Sequence, residues 1–126
     1  MRQMEPNALV LFAHGARDPR WAEPFERLHA LVQAKQPSLP VALAFLDFLE
    51  PDLMTAVQAL VRRGANRIRI VPLFFGRGGH LRDDFPKELE AVRIAVPNVE
   101  IEVAQAAGEA DTVLEALAVF ALAGIA

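Results

Sequence analysis

The chain contains no cysteine, which excludes disulfides, thiolate metal sites and cysteine nucleophiles. It has no block of basic residues either. Its 13 Lys and Arg are scattered among 16 Asp and Glu, for a net charge of −3, so nucleic acid is not expected as a partner. Long hydrophobic runs are also missing. The first apolar run, Ala8–Ala13, meets a histidine before it reaches the length of a signal-peptide core. The uncharged stretch Ala116–Ala126 falls short of the roughly 20 residues that span a bilayer. The expectation is a soluble, cytoplasmic protein with no membrane or nucleic-acid partner.

What the chain does have is apolar content. Hydrophobic residues make up 53% of its 126 positions, enough for a real core in one domain spanning residues 1–126. The excess over ordinary composition points to a covered surface, such as a subunit interface. Four strand-length runs stand out: "ALVLFA" (8–13), "VALAFL" (41–46), "IRIVPLFF" (68–75) and "VEIEVA" (99–104). Each precedes a stretch with apolar residues three and four apart, such as Trp21, Phe25, Leu28 and Val32. This alternation predicts an α/β fold, (βα)4, with a parallel sheet. Right-handed crossovers make a flavodoxin-like order 2-1-3-4 the simplest arrangement.

Punctuation places the helices. Asp18-Pro19 can open the first, Glu50-Pro51 the second, Asp83 or Asp84 with Pro86 the third, and Asp111 or Thr112 the fourth; Gly64 ends the second. The fourth strand alternates Val99, Ile101 and Val103 with Glu100 and Glu102, the pattern of a half-wet edge strand. The last helix carries one charge from Thr112 onward, Glu115. A helix that is apolar all round is usually buried, and here a partner subunit is the expected cover.

Ligands of open parallel sheets bind outside the carboxyl ends of the strands. "AHGARD" follows the first strand and supplies His14, Gly15 and Arg17; "DFLEPD" follows the second and supplies Asp47; "GRGGHLRDD" follows the third and supplies Gly76, Gly78, Gly79, His80 and Arg82. Of three histidines, two thus fall at neighbouring strand ends. Strands lie about 4.8 Å apart, so both imidazoles could converge on one point, with Asp47 joining from the other flank. Two imidazoles and a carboxylate suit a divalent transition metal and can also accept protons near neutral pH. The glycines leave room for a flat ligand, and Phe75 could pack on an apolar ring. "GRGGH" is neither a P-loop nor a dinucleotide fingerprint. Phe74 also suits plain core, and His29, set in mid-helix, reads as structural or exposed.

The segments "LVLFAHGARDP", "AFLDFLEPDL" and "IVPLFFGRGGHLRDDFP" together resemble the class II chelatases, in particular the small CbiX-type sirohydrochlorin cobaltochelatases related to the SirB ferrochelatase. The resemblance implies a chelatase-like half, a three-layer lobe that a homodimer would complete. It implies insertion of a divalent metal (Co²⁺, Fe²⁺ or Ni²⁺) into sirohydrochlorin, a tetrapyrrole on the way to cobalamin or sirohaem, with no cofactor beyond the metal substrate. On this reading His14 and His80 bind the metal and take up pyrrole protons, and Asp47 is the third metal ligand. Arg17, Phe75, Gly78 and Gly79 receive the macrocycle. Asp47 stands where the family often has Glu, and Ala16 where it commonly has Ser. These two departures leave room for an alternative, a non-catalytic tetrapyrrole or metal carrier. A histidine phosphatase is disfavoured because Ala13, not arginine, precedes His14.

Overall fold

The computed structural model describes residues 5–76 and 79–126, with the side chains of 79–83 left out of the description. Its strands are β1 (Ala8–Ala13), β2 (Val41–Phe45), β3 (Arg67–Pro72) and β4 (Glu100–Val103). The helices are α1 (Glu23–Lys35), α2 (Leu53–Arg62), α3 (Gly79–Ala95) and α4 (Asp111–Leu122). All strand pairings are parallel, in the order β2-β1-β3-β4, so the expected topology is the observed one.

The sheet has two unlike faces, because side chains alternate along a strand. Even positions of the inner strands, Ala8, Val10, Phe12, Ile68 and Ile70, are buried together with Leu53, Val57 and Leu60 of α2 and Val92 of α3. On the other face α1 covers the β1–β2 half, where Phe25 meets Phe45 edge-on at 6.2 Å. Nε2 of His29 donates to the Val41 carbonyl at 2.8 Å, which is the structural one of the two roles expected for it. The β3–β4 half of that face is charged instead: Arg67 pairs with Glu100, and Arg69 with Glu102 at 2.6 Å.

Several boundaries differ from the sequence expectation, each for a local reason. β3 stops at Pro72 rather than Phe75. Ile70 accepts from the Ala104 amide, so even positions of β3 face β4. The missing N–H of Pro72 therefore falls just past the last residue of β4, where no ladder bond is lost. α2 is capped by Asp52, whose carboxylate accepts from the Thr55 amide at 2.9 Å, not by the Glu50-Pro51 pair. Asp18 and Pro19 open a 3₁₀ turn, Pro19–Ala22, that leads into α1. α3 begins at Gly79, not at Asp83 or Asp84, and keeps Pro86 inside it at the expense of one helical hydrogen bond. α4 starts at Asp111 with Ala110 at the cap position and no side-chain cap. Gly64 ends α2 as expected, at φ +97°.

Asp52 supplies a stability test with a definite pH sign. Thr55, through its side chain and then its backbone amide, lowers the Asp52 pKa below its ordinary value. The stabilisation is therefore present above the unfolded-state pKa and lost as pH falls through the lowered folded value. Asp52→Ala is expected to cost about 1 kcal/mol in urea unfolding near neutral pH, with the difference from wild type shrinking under acid conditions.

Candidate active site at the carboxyl edge of the sheet

The pleat of β1 determines where His14 emerges. Val10 and Phe12 point into the core, so His14, two residues on, continues the same face past the end of the strand. Its ring packs on Phe74 with centroids 4.7 Å apart, and Phe74 in turn meets Phe12 and Phe85. Phe74 is 2% exposed, so it is core. Its neighbour Phe75 is 66% exposed and stands at the rim. Trp21 donates from Nε1 to the His14 carbonyl at 2.7 Å, tying the residue's backbone to the turn before α1.

Asp47 reaches this point from β2. Its Oδ1 accepts the Gly15 amide at 3.0 Å. The contact is closer still along the backbone: a Cβ on Gly15 would lie 1.5 Å from the Asp47 carbonyl oxygen. That carbonyl also accepts the Leu49 amide at 2.7 Å, across Phe48 at φ +61°. This is a γ-turn centred on a bulky residue, a conformation that costs about 1–3 kcal/mol and collects at functional sites. The turn lifts Phe48 into solvent at 60% exposure, and the Arg17 guanidinium lies over its ring at 4.6 Å.

The structure thus brings His14, Asp47 and Arg17 to one edge of the sheet, with Phe75 exposed where β3 ends. Gly78 lies outside the described residues. Gly79 and His80 are described by their backbone only, as the first turn of α3, so the expected third member of the site starts a helix rather than ending a loop. Among the described residues no three His or carboxylate side chains gather as a metal cluster. The electrostatics are acidic. Burial, then the charges of Asp52, Asp84 and Asp47, raise the pKa of Glu88 on α3, so these carboxylates share one field.

Three features escaped the sequence. Phe48 gave no signal, since only a fixed turn makes it prominent. Nor did the close packing of Gly15 and Gly108: a Cβ on Gly108 would lie 1.9 Å from the Phe75 carbonyl oxygen, whereas Gly76 has open space.

The fold and this strand-end site define a small α/β protein of the chelatase type. The CbiX family model matches residues 8–119, and the chain belongs to that family. A sirohydrochlorin cobaltochelatase of Saccharolobus solfataricus is 32% identical over 115 residues, 86% of this chain and 88% of that one. A cobalamin (vitamin B12) biosynthesis CbiX protein from Marinobacter aquaeolei superposes with a TM-score of 0.80 at 31% identity, covering 92% of this chain and 94% of that one. The sirohydrochlorin chelatase SirB from Bacillus subtilis, solved in complex with cobalt, gives a TM-score of 0.71 at 26% identity; the match covers 90% of this chain but 49% of SirB.

Two measurements probe the site's construction. Gly15→Ala is expected to destabilise the protein by about 3 kcal/mol or more in urea unfolding, because a methyl group meets backbone rather than a movable side chain. Glu88 tests the acidic field. Its raised folded-state pKa means that ionisation costs stability above that value. Glu88→Gln is therefore expected to raise the melting temperature near neutral pH and leave it unchanged below the ordinary glutamate range. An equal gain at both pH values would contradict the assigned cause.

Proposed function

We propose that this CbiX-family protein inserts a divalent metal ion, cobalt or iron, into sirohydrochlorin in the cytoplasm, with the strand-end edge as its active site. The observation that carries the reading is the convergence of His14 and Asp47 through Gly15, at the end of the sheet where parallel α/β proteins bind ligands. The reaction exchanges two pyrrole N–H protons for one M²⁺. His14 and His80, as neutral imidazoles, bind the incoming metal and take up the protons, and Asp47 offsets the ion's charge. The acidic field around Asp47, Asp52, Asp84 and Glu88 draws the cation toward this edge. Arg17 pairs with the substrate's carboxylates. The exposed faces of Phe75 and Phe48 flank the macrocycle, and Gly78 and Gly79 are the glycines proposed to receive it. No redox cofactor or nucleotide takes part. The active form is a homodimer, which restores the two-lobed scale of SirB.

Purified protein mixed with sirohydrochlorin and Co²⁺ is expected to change the absorbance of the tetrapyrrole over many turnovers. His14→Ala and His80→Ala should each slow the reaction at least about 100-fold. A wild-type rate equal to the uncatalysed one would end the proposal, and tight sirohydrochlorin binding without turnover would select a carrier instead. Phe48→Ala, which removes the ring beneath Arg17, is expected to raise KM about fivefold with kcat little changed, the size of a cation–π contact of about 1 kcal/mol.

A further inference from the structure

His14 is followed by a glycine, which makes its orientation a problem. Gly15 is required, because the Asp47 carbonyl occupies the place where a Cβ would stand. A glycine backbone is also the least restricted of any residue, so the peptide leading into it is free to rotate unless something holds it. That peptide joins His14 to Gly15. Its rotation turns the His14 backbone and carries the base of the imidazole with it. Both polar ends of this one peptide are held by side chains. The His14 carbonyl accepts from Nε1 of Trp21 at 2.7 Å. The Gly15 amide donates to Oδ1 of Asp47 at 3.0 Å. The two holders come from different segments, the 3₁₀ turn before α1 and the loop after β2, and together they fix a plane that one bond alone would leave free to pivot.

Trp21 is itself carried by a rigid frame. Pro19 starts its turn with a preset φ. Asp18 caps the turn by accepting the Arg20 amide at 3.0 Å, and the Trp21 amide donates to the Asp18 carbonyl at 3.0 Å. On the ring side Trp21 meets Phe25 with centroids 5.9 Å apart, and Phe25 meets Phe45. Phe45 is buried at the end of β2, in register with Ala13, the residue before His14. A path of packed aromatic rings thus runs from the core to the indole, and the indole N–H returns to the His14 backbone. Trp21 is 45% exposed, so it adds less to the core than a buried indole would.

We infer that Trp21 is a positioning residue: it holds the His14 carbonyl while Asp47 holds the next amide, and so fixes the imidazole against Phe74 in the orientation that metal insertion needs. Such preorganisation raises the rate without changing how tightly the macrocycle is held. It acts on a group that matters most as the pyrrole protons leave and the metal enters. The effect on rate rests on the chelatase reading; the fixing of His14 does not.

Trp21 is the chain's single tryptophan, which allows a one-atom test. Growth on β-(3-benzothienyl)alanine, in which sulfur replaces the indole N–H, removes this donor and keeps the ring. Trp21→Phe is the second variant should the isostere fold poorly. The isostere is expected to lower the urea midpoint only slightly. With sirohydrochlorin and Co²⁺, kcat should fall about tenfold while KM stays within about twofold of wild type. In NMR spectra the Overhauser contact between the His14 and Phe74 rings, whose centroids lie 4.7 Å apart, should weaken while the His29 signals stay in place. A contact of wild-type strength overturns the positioning role, whatever the activity. A weakened contact with unchanged kcat, or a loss carried by KM, overturns its part in the reaction. If wild type inserts no metal, the chelatase reading fails, and the Overhauser contact alone decides whether Trp21 positions His14.

Discussion

Burial of the even-numbered side chains of β1 beneath α2 and α3 is the constraint on which the rest of the structure turns. Ala8, Val10 and Phe12 have no exposed alternative, because β1 is flanked on both sides by parallel strands. A shift of one residue would move this whole set to the opposite face. With that register set, the first residue beyond the strand on the core face is His14. It lands on Phe74 because β3 is held against β1, with the Leu73 amide donating to the Phe12 carbonyl at 2.7 Å. The position of a proposed catalytic group is thus a consequence of core packing.

The same sheet explains the molecule's unequal surfaces. Its core face is filled by two helices. The other face is apolar under α1 and ion-paired under nothing, and that split leaves α4 without a place to lie. The carboxyl edge combines an acidic field, which favours a cation, with a cationic group at Arg17 held over Phe48. Metal insertion into a carboxylated macrocycle requires both signs of charge at one site, each for a different part of the substrate pair.

Much of this was legible beforehand. The strand runs, their order, the structural role of His29 and the edge character of β4 follow from periodicity and punctuation, which are local properties. His14, Asp47 and Arg17 could be assigned to one edge because strand ends in a parallel sheet share a side. The start of α3 was misread because Pro86 looked like a helix opener, whereas a helix already under way can carry it. Phe48 was invisible because its exposure comes from a turn that Gly15 and Asp47 lock from outside the segment. The close packing at Gly15 and Gly108 was invisible for a similar reason: how close another chain segment approaches is not written at the glycine itself.

The sequence by itself determined the architecture, the topology and the candidate metal-binding residues, since each depends on alternation along the chain and on the right-handed crossover. Only the tertiary structure decided which glycines admit no side chain, which aromatic faces solvent, and why α4 finds no cover on its own sheet. Those outcomes depend on what two distant segments present to each other: a carbonyl against Gly15, a guanidinium over Phe48, a charged ladder where an apolar seat was needed.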